Sequence, residues 1–161
     1  MDWSIPLSTL LGAFLGVGAT LVADRARWRR ESQQRRTDLR REVYADYLAA
    51  LHRANDALRA LSLSDPPEAG RASAAREAFR GGGVQAAREQ VALTAPAAVV
   101  QAADTAFGSQ RTLRDLVAAG VPASHPDYAA ALDTHIGALD RLRNAMRADL
   151  GEPPLSVELT M

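Results

Sequence analysis

The chain has 161 residues, and its 19 basic residues, all arginine, balance 19 acidic ones to a formal net charge of zero. That length admits one domain plus an anchor but not two packed cores, and the lack of cysteine excludes disulfides, thiolate nucleophiles and thiolate metal sites. Up to Glu42 there are eight arginines against five acids, and beyond it eleven against fourteen. The distal part is therefore mildly acidic rather than basic, and no nucleic-acid partner is expected.

Residues 5–23 contain no charged side chain. A helix of that length spans about 28 Å, close to the hydrocarbon thickness of a bilayer. Pro6 falls in the first turn, where its missing N–H costs nothing. Trp3 and Trp28 flank the run as interface anchors. Only Asp2 precedes the run, whereas Arg25, Arg27, Arg29 and Arg30 follow it closely. The positive-inside rule then puts the N-terminus outside and the distal domain in the cytoplasm, as a single-pass protein of the inner (plasma) membrane. A cleaved signal peptide is the main alternative, but its positive charge belongs before the apolar segment, and Leu21-Val22-Ala23 is a poor cleavage site. A buried helix of a soluble domain is the other alternative.

Ser8, Gly12, Gly16 and Thr20 recur every four residues as a small-residue stripe. Such a stripe lets two membrane helices approach closely and marks a self-association face, although glycine is common in membrane helices in any case. Residues 25–38 contain no glycine or proline and are rich in Arg, Glu and Gln, so the helix is expected to continue as a solvated stalk. Arg25, Arg27, Arg29 and Arg30 are placed to contact anionic headgroups, each contributing about 1 kcal/mol near the surface. The plainer reading of these arginines is a topology signal. Asp24, Glu31, Asp38 and Glu42 dilute the patch for DNA.

Beyond the stalk, Leu39, Val43, Tyr47, Leu51, Ala54, Leu58 and Leu61 recur at three- and four-residue steps and predict an amphipathic helix to about residue 63. Residues 64–70 read as a turn or loop. A weaker helix over 73–80 is interrupted by Gly81-Gly82-Gly83, which suggests a hinge or flexible break, and helix resumes over 84–93. Pro96 suits the first turn of the next helix, with Val99, Ala103, Phe107, Leu113 and Val117 on its apolar face and Gly120 at its end. Ser124 or His125 caps the last helix, whose stripe is Tyr128, Leu132, Ile136, Leu139, Leu142, Met146 and Leu150, closed by Gly151 and Pro153-Pro154. The tail from Leu155 is expected to be disordered or docked. Burying four such stripes together predicts an all-α fold: an N-terminal transmembrane helix continuing into an antiparallel, approximately four-helix bundle. The segments are a membrane anchor (1–24), an arginine-rich juxtamembrane helix (25–38), a cytoplasmic bundle (39–151) and a tail (152–161).

No catalytic signature emerges. His52, His125 and His135 show neither H-x-x-x-H nor E-x-x-H spacing, so no metal or cofactor is expected. Ser109 and Ser124 lack a nucleophile-elbow context. The triple glycine lacks the Gly-Lys-Ser/Thr of a phosphate loop. Asp104 and Asp115 share one side of a helix and read as solvated charges rather than paired acids. Tyr44 and Tyr47 read as core residues of the bundle's first layer.

The stretch Arg41-Glu42-Val43-Tyr44-Ala45-Asp46-Tyr47-Leu48-Ala49-Ala50, with Met146-Arg147-Ala148-Asp149-Leu150-Gly151 and the N-terminal anchor, resembles small single-pass actinobacterial membrane proteins of uncharacterised function. The resemblance implies an inner-membrane protein with a cytoplasmic helical domain, and carries no substrate, cofactor or catalytic residue. The expected function is a membrane-tethered helical interaction or scaffold protein, bound to the lipid bilayer and to a protein partner or a second copy. One alternative is a lipid- or small-ligand-responsive binding module with a ligand-sized apolar cavity between helices. Another is a membrane-bound enzyme with polar residues clustered inside the bundle around Asp104, Arg111 or His135.

Overall fold

A computed structural model describes the backbone of residues 4–64 and 66–155, and the side chains from residue 25 onward other than those of residues 26 and 30. Five helices account for nearly all of it: α1 (Ser4–Ser64), α2 (Glu68–Gly81), α3 (Val84–Thr94), α4 (Ala97–Ala118) and α5 (Pro126–Asp149). The chain falls into two compact units, residues 1–39 and 40–161.

In the first unit, Arg25, Arg27 and Arg29 are exposed, as is Trp28 at 71%. Arg27 Nε lies 3.1 Å from Glu31 Oε1, one turn on. Among the described residues, no helix is long and apolar enough to cross a membrane. The side chains of the apolar run 5–23, including Ser8, Gly12, Gly16 and Thr20, lie outside the described residues, as do Trp3 and the side chain of Arg30.

The second unit is a helical bundle, and its two apolar clusters give the chain direction. One cluster joins Val43, Tyr47 and Leu51 of α1 to Val84 and Val91 of α3, Val99 of α4, and Leu142 and Met146 of α5. The other joins Leu58 of α1 to Phe79 of α2, Leu113 and Val117 of α4, and Tyr128 of α5. α1 and α4 therefore run from the first cluster to the second, whereas α2 with α3, and α5, run back. Each stripe fills its layer because positions three and four apart share one helix face. Leu39, expected at the start of the stripe, is instead 52% exposed. Leu132, Ile136 and Leu150 of the α5 stripe are half-buried, and His135 and Ala138 take fully enclosed places beside Leu139.

The helix ends follow from local chemistry. α2 begins at Glu68, earlier than expected, because Pro67 (φ −54°, ψ 141°) sits at its N-cap and Glu68 places an acid in the first turn. Pro96 likewise lies at the N-cap of α4 rather than inside its first turn. His125, not Ser124, caps α5, its ring accepting a bond from the Asp127 N–H. α4 and α5 both end with a glycine at positive φ, Gly120 (80°) and Gly151 (77°). In each, the next residue's N–H bonds back to a carbonyl five earlier, Val121 to Leu116 and Glu152 to Arg147, which satisfies carbonyls the helix leaves unpaired. The described part of the tail is docked on α5: Leu155 N–H donates to Asn144 and Arg147 donates to the Pro153 carbonyl.

The triple glycine is a tight packed turn rather than a flexible hinge. Gly83 adopts φ 73°, a region that disfavours side chains, and a Cβ on Gly82 would lie 2.7 Å from the Ala54 Cβ of α1. Glycine is thus demanded by conformation at one position and by close backbone approach at the other.

Candidate functional site

The turn at Gly81–Gly83 also creates a recess. The second half of α2 supplies Arg76, Phe79 and Arg80, the start of α3 supplies Gln85, and α4 supplies Arg114, around a cavity of about 530 Å³. An adjoining cavity of about 510 Å³ shares Phe79, Gln85 and Arg114 and adds Arg88, Asp104, Phe107, Gly108 and Arg111. Five arginines and one carboxylate therefore line a continuous groove on the α2–α3–α4 face of a chain whose overall charge is zero.

Two aromatic rings organise this charge. Phe79 and Phe107 meet with centroids 5.5 Å apart and planes inclined by 57°. The Arg88 guanidinium lies over the Phe107 ring at 5.0 Å, and that of Arg114 over Phe79 at 5.2 Å. Each stack holds a cation against a ring face. Arg88 Nε also lies 2.7 Å from Asp104, which raises its pKa above the ordinary value chiefly through that hydrogen bond, with burial opposing. Arg114 bonds Asp115 at 2.6 Å, and Arg80 bonds Glu77 at 2.8 Å. Arg76 and Arg111 have no hydrogen bond or ion pair among the described residues. α3 has no side-chain cap, so the N–H groups of its first turn carry the helix's positive end beside the same recess. The polar side chains lining the groove are guanidiniums, one carboxylate and an amide, a set whose charge favours an anion.

A second polar cluster lies inside the bundle. His135 is fully enclosed, its Nδ1 2.9 Å from Ser109 Oγ, which itself donates to the Ala106 carbonyl at 2.8 Å. With the serine hydrogen so engaged, Nδ1 carries the ring proton and Nε2 is a bare acceptor, an assignment inferred from the bonding pattern. Nε2 has no partner among the described residues. Burial, with the nearby His52 and Arg143 adding to it, lowers the His135 pKa from 6.5 to about 4. Gln110, equally enclosed, donates to the Leu51 carbonyl at 2.7 Å. The pairing of Ser109 with His135 has the residue types of a nucleophile and base, but His135 is enclosed and Ser109 half-buried, and the free nitrogen has no hydrogen-bond partner among the described residues.

At the far end, Asp149 receives Arg40 through both oxygens at 3.0 and 3.1 Å and the Tyr44 hydroxyl at 2.7 Å. Burial, then the Asp149 carboxylate, holds the Tyr44 pKa well above its ordinary value. Tyr47 is enclosed with its hydroxyl on the Ala103 carbonyl at 2.9 Å.

The three residues singled out as an interior polar set are not brought together. Asp104 and Arg111 lie in the surface groove, whereas His135 is in the core. The two cavities of the groove combine arginines with the apolar faces of Phe79 and Phe107. Asp115 lies beside the groove paired to Arg114, not opposite Asp104 as a second acid. Among the described residues, no group of three or more His, Asp or Glu could hold a metal ion. Sequence reasoning missed Arg76, Phe79, Arg80, Arg88 and Arg114; the spacing Arg76-x-x-x-Arg80 and Arg111-x-x-Arg114 puts each pair on one helix face, but only the packing of α2 on α4 joins them. The chain matches no protein-family model, no curated protein and no solved structure.

Proposed function

We propose that this chain is a membrane-tethered helical binding module, with residues 1–24 as its anchor and the bundle, on the cytoplasmic side, binding an anionic ligand in the α2–α4 groove. The observation that carries this reading is the groove itself: five arginines converge there, two stacked on phenylalanine and two without a hydrogen bond or ion pair among the described residues. A surface that exists only to be solvated gains nothing from gathering like charges, which repel one another. The uncharged run at residues 5–23 and the arginines that follow it support the anchoring and its direction. The stripe of Ser8, Gly12, Gly16 and Thr20 supports a scaffold role through self-association within the same arrangement.

Two measurements test this reading. In the first, full-length chain in mild detergent is melted with a panel of multivalent anions at constant ionic strength; a panel that leaves the transition unmoved removes the binding role. In the second, membranes are extracted with alkaline carbonate and spheroplasts treated with protease. The chain should stay in the pellet with a C-terminal tag protected. Release by carbonate, or digestion of the tag in intact spheroplasts, removes the tether or reverses it.

A further inference from the structure

We infer that the anion recognised by the groove is a phosphate ester, its phosphate held among Arg76, Arg80 and Arg114 at the first turn of α3. This rests on the binding role proposed above and specifies its ligand. The chain itself shows what one carboxylate requires: Asp104 is satisfied by Arg88, and Asp115 by Arg114. The first cavity is lined by three guanidiniums and no carboxylate; Arg80 and Arg114 keep donors beyond those bonded to Glu77 and Asp115, and Arg76 has no bond among the described residues, so together they hold more donors than a single carboxylate engages. A phosphate monoester carries close to two charges and three strong acceptor oxygens, which matches several guanidinium forks at once. The Gly81–Gly83 turn points the uncapped start of α3 at the same space, and its backbone N–H groups complement the arginines there. The adjoining cavity suits the body of the ligand. Asp104 is its one carboxylate, with Oδ1 on Arg88 and Oδ2 left to accept from a hydroxyl or amino group, and Gly108, with nothing within 4 Å of where a Cβ would stand, keeps the space open.

The test is calorimetric titration of the full-length chain in detergent with inorganic pyrophosphate and, separately, with citrate at matched ionic strength. Pyrophosphate should bind saturably and roughly tenfold more tightly than citrate. Arg76→Gln and Arg111→Gln, which break no bond among the described residues, should each weaken pyrophosphate roughly tenfold, and Arg141→Gln, on exposed α5 surface, should not. Citrate binding as well as pyrophosphate overturns the phosphate assignment and leaves an anion site. Binding by neither anion removes both readings. Equal loss in all three variants overturns the location. A further arm separates the phosphate's source, using chain reconstituted in phosphatidylcholine nanodiscs with and without phosphatidic acid. Weaker pyrophosphate binding in the presence of phosphatidic acid supports a lipid headgroup as ligand, and unchanged binding supports a soluble phosphate ester.

Discussion

His135 should make the bundle acid-sensitive, and the size of the effect follows from its burial. Its pKa falls from 6.5 to about 4 on folding chiefly because the ring is enclosed, with His52 and the Arg143 guanidinium nearby adding to the shift. As pH drops below 6.5, the unfolded chain takes up a proton that the folded chain refuses. Stability is therefore fully present above about pH 6.5 and is lost progressively as pH falls toward 4. With 1.36 kcal/mol per pKa unit, the loss is about 3 kcal/mol, a large share of a small domain's stability. Carboxylates titrate in the lower part of the same window, so the histidine's share is isolated by His135→Leu. That substitution removes the bare Nε2 and leaves Ser109 bonded to Ala106, so its cost at pH 7 should be small. Urea unfolding of both proteins, followed by circular dichroism at steps from pH 7 to pH 4, measures the difference. We expect the variant to gain on the parent by about 3 kcal/mol across that range. A stability difference that stays constant with pH would refute the reasoning, because the ring would then titrate alike in both states.

Other substitutions test the packing directly. Gly82→Ala drives a Cβ into Ala54 and should lower stability by roughly 1–3 kcal/mol in thermal melts; an unchanged midpoint would mean that the turn is not pressed against α1. Gly108→Ala meets open space within a helix and should raise stability by about 0.5–1 kcal/mol, and a loss in the same assay would show that the site needs its glycine for packing. Tyr47→Phe removes the enclosed hydroxyl bond to Ala103 and should cost about 1 kcal/mol by urea titration. Asp149→Asn weakens the contact to Arg40 and should speed amide exchange in the last turn of α5 before that of its centre; uniform exchange along α5 would count against a local clamp.

Much of the bundle is legible in the sequence because each helix has a single apolar face. The Val43–Leu58 stripe lies where its spacing places it, as do Tyr128, Leu139, Leu142 and Met146 of the last helix, and Gly120 and Gly151 end their helices as their conformational freedom requires. What cannot be read is whatever depends on a second helix. His135 and Gln110 look like surface residues until Ser109 and the Leu51 carbonyl are seen to meet them. Gly82 looks like a loose residue until Ala54 is set against it. The arginine groove is of the same kind, since α2 and α4 bring side chains from separate stretches to one recess.

The clamp of Arg40 and Tyr44 on Asp149 also sets a clock. Its partners are separated by 109 residues, so the bundle cannot close until almost the whole chain has been synthesised. At ribosomal rates that interval is roughly 5–20 seconds. Throughout it, Val43, Leu51 and Leu58 have emerged without the helix that will cover them. The order of synthesis thus leaves a nascent apolar ridge that a ribosome-associated chaperone would meet first.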